Sequence, residues 1–127
     1  VDTPEGLMTP VVKRADTKTI FELAQEMEKL SAAARERTID LMDIKGGTFT
    51  ITNAGSIGGQ YIFPILNYPD VAILALGRLY DKAVVKEGKI VARKVMPLSL
   101  IYDHRVIDGA DAARFMNKLK EYLEHSH

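Results

Sequence analysis

Val71-Ala72-Ile73-Leu74-Ala75-Leu76 is an unbroken apolar run, and it constrains the fold more than any other stretch of the chain. A strand with one wet face alternates; one that is apolar at every position is covered on both faces. The run is therefore predicted to be central in a sheet, and the other segments must supply its neighbours.

Two neighbours suggest themselves. In Thr48-Phe49-Thr50-Ile51-Thr52-Asn53 the period is two, with Phe49 and Ile51 on one face and the threonines on the other, as in a half-buried strand. Thr50 and Thr52 then share a polar face. A hydroxyl there can donate into a cleft, although threonine is also simply a good strand former. Pro97 to Ile101 reads as a second, buried strand. Lys82 to Lys86 and Lys89 to Arg93 flank Glu87-Gly88 as a hairpin whose lysines suit an exposed edge. Leu7 to Val12 is a short apolar segment whose proline places it at a sheet edge or strand start.

Helical spacing appears twice. Thr19 and Glu22 form a capping box ahead of Ile20, Leu23, Ala24, Met27, Leu30 and Ala34, an amphipathic face of the kind that packs on a sheet. Ala112, Phe115, Met116, Leu119 and Leu123 repeat in the same way near the C-terminus. Between the first helix and the Thr48 strand, Thr38 to Ile44 reads as a helical turn closed by Gly46-Gly47.

Composition removes several function classes. Seventeen basic residues balance seventeen acidic ones over 127 residues, so no net field recommends nucleic acid or an anionic membrane. With no cysteine there is no disulfide, thiolate zinc site or cysteine nucleophile. No apolar run approaches the ~20 residues of a membrane helix and no signal peptide is visible, so a soluble intracellular protein is expected. The length suits one domain with a moderate core. Val1-Asp2-Thr3-Pro4-Glu5-Gly6 starts without methionine, in a strand end running into a turn, as expected of part of a longer chain.

The chemistry concentrates in Tyr102-Asp103-His104-Arg105-Val106-Ile107-Asp108-Gly109, where the strand pattern gives way to the last helix. His104 sits at a strand end, where catalytic side chains are commonly placed, and imidazole exchanges protons near neutrality. A histidine in such a place is nevertheless more often structural than catalytic. Asp108 can equally be the N-cap of the helix, with Asp111 favouring its dipole. Spacing alone leaves both readings open. The glycines of Asn53-Ala54-Gly55-Ser56-Ile57-Gly58-Gly59 suggest a phosphate cradle, but the P-loop lysine and the dinucleotide fingerprint are absent; a bend at a packed interface explains them as well. His125 and His127, at a fraying end, are read as incidental rather than as a metal site.

Four blocks in order, Val1 to Leu7, Gly47 to Gly59, Pro69 to Leu74 and Asp103 to Ala110, resemble the C-terminal part of the catalytic domain of dihydrolipoamide acyltransferases. These are the E2 cores of 2-oxoacid dehydrogenase complexes, relatives of chloramphenicol acetyltransferase. The resemblance implies an α/β two-layer sandwich with a mixed sheet and helices on one face, truncated at the N-terminus. Residues 1–127 would be the C-terminal part of that domain, without the lipoyl and peripheral-subunit-binding domains.

By the same resemblance His104 is the general base that deprotonates the thiol of coenzyme A or dihydrolipoamide, Asp108 organises the site, and Thr52 supplies the oxyanion hydroxyl in place of the usual serine. The family implies a homotrimer with the site at the subunit boundary, so that His104 and Thr52 meet from neighbouring chains. It implies coenzyme A and a lipoyl arm as substrates, no metal, and dehydrogenase components E1 and E3 as partners through regions outside this chain. The compartment would be bacterial cytoplasm or, alternatively, mitochondrial matrix. The acyl group, whether acetyl, succinyl or branched-chain, is not legible. The end at Glu124-His125-Ser126-His127 lacks the family's apolar tail, so trimers or irregular oligomers are expected in place of a closed cage. The alternative function is an inactive trimeric assembly fragment.

Overall fold

The computed structural model describes residues 1–125 of the 127. Within it the chain forms two compact units, Val1–Gly47 and Thr48–His127.

The first unit begins with a short antiparallel hairpin, β1 (Asp2–Thr3) on β2 (Gly6–Leu7). Thr3 is buried, and its hydroxyl donates to the Gly6 carbonyl across the turn at 2.7 Å. Of the expected Leu7 to Val12 segment only Leu7 joins a ladder; Val11 instead donates its N–H to the Asp43 carbonyl at 2.7 Å. Helix α1 (Ile20–Glu36) starts where the capping box was predicted: Glu22 N–H donates to Thr19 Oγ1, and Thr19 N–H donates to Glu22 Oε2. The Thr19 backbone N–H, and then the Thr19 hydroxyl, which also donates to Glu22 Oε2 at 2.8 Å, hold the Glu22 carboxyl below its ordinary value. The apolar stripe is only partly covered. Leu30 and Ala34 are buried and Leu23 half-buried, whereas Ile20, Ala24 and Met27 are exposed. The reason is supply: within its unit α1 packs against the short β1, which is too small to cover a five-turn helix. The predicted helical turn is a single 3-10 turn, Leu41–Ile44, capped by Asp40, whose Oδ1 accepts from Met42 N–H at 2.8 Å.

The second unit is built on the apolar run. Strand β3 (Thr50–Asn53) pairs in parallel with β4 (Ala72–Leu76), and β4 pairs antiparallel with β7 (Leu98–Tyr102), so the sheet order is β3-β4-β7 with β4 central. Ala72, Ile73, Leu74 and Ala75 are the largest block of buried side chains in the molecule, as the continuous run requires. Strand β7, expected buried, is half-buried along its whole length. Strands β5 (Tyr80–Lys86) and β6 (Lys89–Val95) form the predicted hairpin as a separate two-stranded sheet; both of its turn residues have positive φ, Glu87 at 53° and Gly88 at 75°. Helix α2 (Gly109–His125) lies against β7. It buries Ala112 and half-buries Met116 and Leu119, while Phe115 reaches Phe49 with ring centroids 5.9 Å apart.

One orientation departs from expectation. In β3 it is Thr50 and Thr52 that are half-buried, and Ile51 stands 62% exposed. Thr50 explains the choice, because its hydroxyl donates to Asp70 Oδ2 at 2.7 Å and satisfies the threonine face from within. From Tyr61 to Leu66 the chain alternates exposed and half-buried without joining a ladder.

Candidate active site

Position in the sheet decides what the predicted residues can do together. Thr52 pairs with Ala75, which pairs with Ser99, so these three form one row across β3, β4 and β7. Tyr102 pairs with Ala72 at the other end of the ladder, and Asp103 N–H extends the pairing by one bond to the Val71 carbonyl at 2.8 Å. From Thr52 to Tyr102 is roughly 10 Å along the strands and ~10 Å across them, and His104 lies further on. Within one chain, therefore, Thr52 and His104 cannot both reach one carbonyl group.

The chain leaves β7 into a tight arch. The Asp103 carbonyl accepts from Val106 N–H and Ile107 N–H, each at 3.0 Å. The Asp103 carboxylate turns back over the same arch: Oδ1 accepts from Arg105 N–H at 3.0 Å, both oxygens accept from Arg105 Nε, and Oδ2 accepts from Arg105 Nη2 at 2.6 Å. The Arg105 side chain, then its backbone N–H, draw the Asp103 carboxyl down from 3.8 to about 2. In return Asp103 raises the Arg105 guanidinium. His104 is exposed at the crown, its imidazole 5.7 Å from the Tyr102 ring, centroid to centroid, and tilted 36° to it.

Asp108 is the N-cap of α2: its Oδ1 accepts from Ala110 N–H at 2.8 Å and Asp111 N–H at 2.9 Å. This is the structural reading of that residue, and it leaves Oδ2 without a hydrogen-bond partner among the described residues. Asp111 pairs with Arg114.

The glycine loop is closed rather than open. A 3-10 turn, Gly55–Ile57, follows β3, with Asn53 Oδ1 accepting from Gly55 N–H. Gly59 accepts from Arg78 N–H, and a Cβ on Gly55 would stand 2.6 Å from the Gly77 carbonyl oxygen. At Gly55 backbone fills the adjoining space, while Gly58 has nothing within 4 Å of where a Cβ would stand. An open cleft in the first unit, lined by Lys18, Glu26, Lys29 and Asp43 among others, contains none of the three predicted site residues, and the Lys18–Glu26 ion pair occupies its wall. Among the described residues no cluster of three His, Cys, Asp or Glu could hold a metal, and no helix is long and apolar enough to cross a membrane. His125 Nδ1 lies 2.8 Å from the Glu121 carbonyl of its own helix; His127 lies outside the described residues.

This arrangement of sheet, arch and cap can be compared with known proteins. The model of the 2-oxoacid dehydrogenases acyltransferase catalytic domain matches residues 1–127. The chain belongs to this acyltransferase family. It is 49% identical over 122 residues to the dihydrolipoyllysine-residue acetyltransferase component of the pyruvate dehydrogenase complex of Bacillus subtilis, covering 96% of this chain and 28% of that protein. The fold of a dihydrolipoamide acetyltransferase from Azotobacter vinelandii, solved to investigate the role of a serine, a histidine and an asparagine in its catalytic mechanism, superposes with a TM-score of 0.93 at 44% identity, covering 98% of this chain and 51% of that one. A truncated catalytic core of the 2-oxoacid dehydrogenase complex from Thermoplasma acidophilum gives 0.87 at 46% identity, over 98% and 55%. The α/β acyltransferase fold is thus established, while the chain spans under a third of its curated relatives and about half of the solved chains.

Sequence reasoning missed the Asp103–Arg105 pair and the Tyr102 ring. The signal was present: an acid and a base flank His104 two residues apart, a spacing at which an Asp side chain folds back onto its own turn.

Proposed function

We propose that this chain carries the catalytic machinery of a dihydrolipoamide acyltransferase, moving an acetyl group between coenzyme A and a dihydrolipoyl thiol. The observation that carries the reading is a spacing. In the Azotobacter acetyltransferase the histidine and the asparagine are numbered four apart, and the serine fifty-two before the histidine. Thr52, His104 and Asp108 stand at the same intervals. Hydroxyl for hydroxyl, imidazole for imidazole and Asp for Asn, the three polar groups are matched in type.

Their chemistry follows from place. A thiol of pKa about 8.5 is mostly protonated at neutral pH, and His104, held at a strand end and open to solvent, takes its proton as the sulfur attacks the thioester carbonyl. The Thr52 hydroxyl donates to the carbonyl oxygen as it gains charge. Asp108 sets the end of α2 directly after the arch, which supports an organising role rather than proton transfer. Because Thr52 and His104 lie at opposite ends of one sheet, a working site takes Thr52 from one copy and His104 from another. A trimer with sites at its boundaries meets that requirement, and the Thr52 hydroxyl, half-buried and with no side-chain hydrogen bond among the described residues, is available for it.

Dihydrolipoamide and coenzyme A are the substrates, and E1 and E3 would be engaged through regions outside these residues. The curated relatives at 48–49% identity are acetyltransferase components from bacteria, which favours acetyl over succinyl or branched-chain transfer and a cytoplasmic setting over a mitochondrial one.

Mixing variants tests both the chemistry and the sharing. His104→Ala and Thr52→Ala are each assayed alone for transfer from acetyl-coenzyme A to dihydrolipoamide, then dissociated, mixed one to one and reassembled. Each alone is strongly impaired; the mixture regains about a quarter of native activity, because that fraction of boundaries unites a native Thr52 with a native His104. A mixture no better than its components would show that the two residues do not share a site across copies. Full activity in His104→Ala would remove the acyltransferase mechanism altogether and leave the assembly fragment as the reading.

A further inference from the structure

We propose that Asp103 and Arg105 form a positioning clamp that fixes the arch presenting His104, neither residue touching the reacting atoms. The inference rests on the reading above in taking His104 as the base.

The two residues flank His104 in the chain and are joined to each other across the arch that carries it. Asp103 is anchored on three sides: its N–H to the Val71 carbonyl at the end of the ladder, its carbonyl to Val106 and Ile107, and its carboxylate to Arg105. His104, by contrast, makes no backbone hydrogen bond of its own among the described residues. Its conformation is therefore set by what holds its neighbours. The imidazole is backed by the Tyr102 ring, and the Tyr102 hydroxyl lies toward Gly109 at the start of α2, 3.7 Å from where a Cβ would stand.

The pair's exposure argues against a purely structural role. Asp103 is 18% exposed, but Arg105 is 87% exposed, and ion pairs with so open a partner add little to global stability. What the pair does add is local: three N–H groups of Arg105 converge on one carboxylate across a span of three residues, restricting the dihedrals on either side of the imidazole. A general base misplaced by a fraction of an ångström loses rate, so restricting this arch acts on turnover rather than on folding. Asp103 is also not an orienting partner of the imidazole itself, because both of its oxygens are committed to Arg105. The fork geometry matters: the guanidinium meets the carboxylate through separate N–H groups, Nε and Nη2, held in one plane, whereas an ammonium is a point charge on a flexible stem.

The test uses the full chain. Turnover and KM for acetyl transfer, melting midpoints and backbone ¹⁵N relaxation are measured for the native protein, Asp103→Ala, Arg105→Ala and Arg105→Lys, and again with each combined with His104→Ala. The clamp predicts that kcat falls roughly 10- to 100-fold in Asp103→Ala and Arg105→Ala with KM within about twofold. Arg105→Lys recovers part of the loss, and melting midpoints stay within about 2 °C of the native value. In the His104→Ala background neither substitution lowers the residual rate further, because the clamp acts only through that side chain. Unchanged kcat, or an equal further loss without His104, would overturn the proposal. If the native chain shows no His104-dependent transfer, it is the acyltransferase reading that fails, and the clamp is judged by relaxation alone. An order parameter at His104 that drops from about 0.85 to below about 0.6 in Asp103→Ala upholds it, and an unchanged one refutes it.

Discussion

Two loops leave the central sheet at opposite ends, and they are held by different forces. The Asn53–Gly59 loop after β3 is closed by backbone on backbone: Gly55 and Gly59 meet Gly77 and Arg78 with no side chain between them. The arch after β7 is closed by charge, Asp103 folding over Arg105 while His104 stays exposed. Main chain packed at Gly55 ties the first loop down against Gly77, whereas an ion pair on the surface ties the second and leaves one side chain exposed. The comparison separates glycine that serves packing from polar residues to which the proposed chemistry falls, although both stretches look like binding loops in the sequence.

Substitutions on each side can break that contrast. The largest effect is expected at the crown of the arch: His104→Ala should lower acetyl transfer by ~10²- to 10⁴-fold while leaving the melting midpoint where it was, since the ring makes no hydrogen bond that the fold needs. Gly77→Ala should do the reverse. Its Cβ would collide with the Gln60 carbonyl oxygen, a main-chain atom that cannot swing away, so a loss of about 3 kcal/mol is expected by urea denaturation. A Gly77→Ala chain as stable as the native one would mean the loop is open after all. A smaller effect is expected of Asp108→Ala, which removes the N-cap of α2 at a cost of ~1 kcal/mol, whereas Asp108→Asn, keeping an acceptor oxygen, should stay within a few tenths. Equal losses in the two Asp108 variants would point to the carboxylate charge rather than the cap.

The smallest effect concerns pH. The Asp103 carboxyl is drawn from 3.8 to about 2 by Arg105, so it binds fewer protons folded than unfolded. Its contribution to stability is complete above pH ~4 and is lost as the pH falls toward 2. Stability measured from pH 5 to 2 should therefore fall less steeply in Asp103→Asn than in the native chain. Parallel profiles would show that Arg105 does not hold the carboxylate in solution.

Much of this was legible locally. The Val71 run announced a central strand, Thr19 with Glu22 announced a helix start, and Glu87-Gly88 announced a hairpin turn, whose positive φ at both positions the structure added. Asp108 was legible as an N-cap and His104 as a residue at a strand end. Each of these signals lies within a few residues of the structure it specifies, which is why periodicity and capping chemistry suffice to find it. Less legible was which face of β3 turns inward. Alternation put Phe49 and Ile51 on one side and the threonines on the other, but Asp70, from the turn before β4, drew Thr50 in and left Ile51 out. Helix α1 shows the same limit, for its apolar stripe was readable while the amount of cover that its unit offers was not.

The sequence by itself determined the elements, their order, the family, and the residue types that chemistry would use. Tertiary structure alone decided how those residues relate. It placed Thr52 and His104 at opposite ends of one sheet and closed the glycine loop against Gly77. The physical reason is range: a cap or an alternation is satisfied by neighbours in sequence, whereas strand register and backbone packing are settled by partners distant in the chain, whose identity no local pattern records.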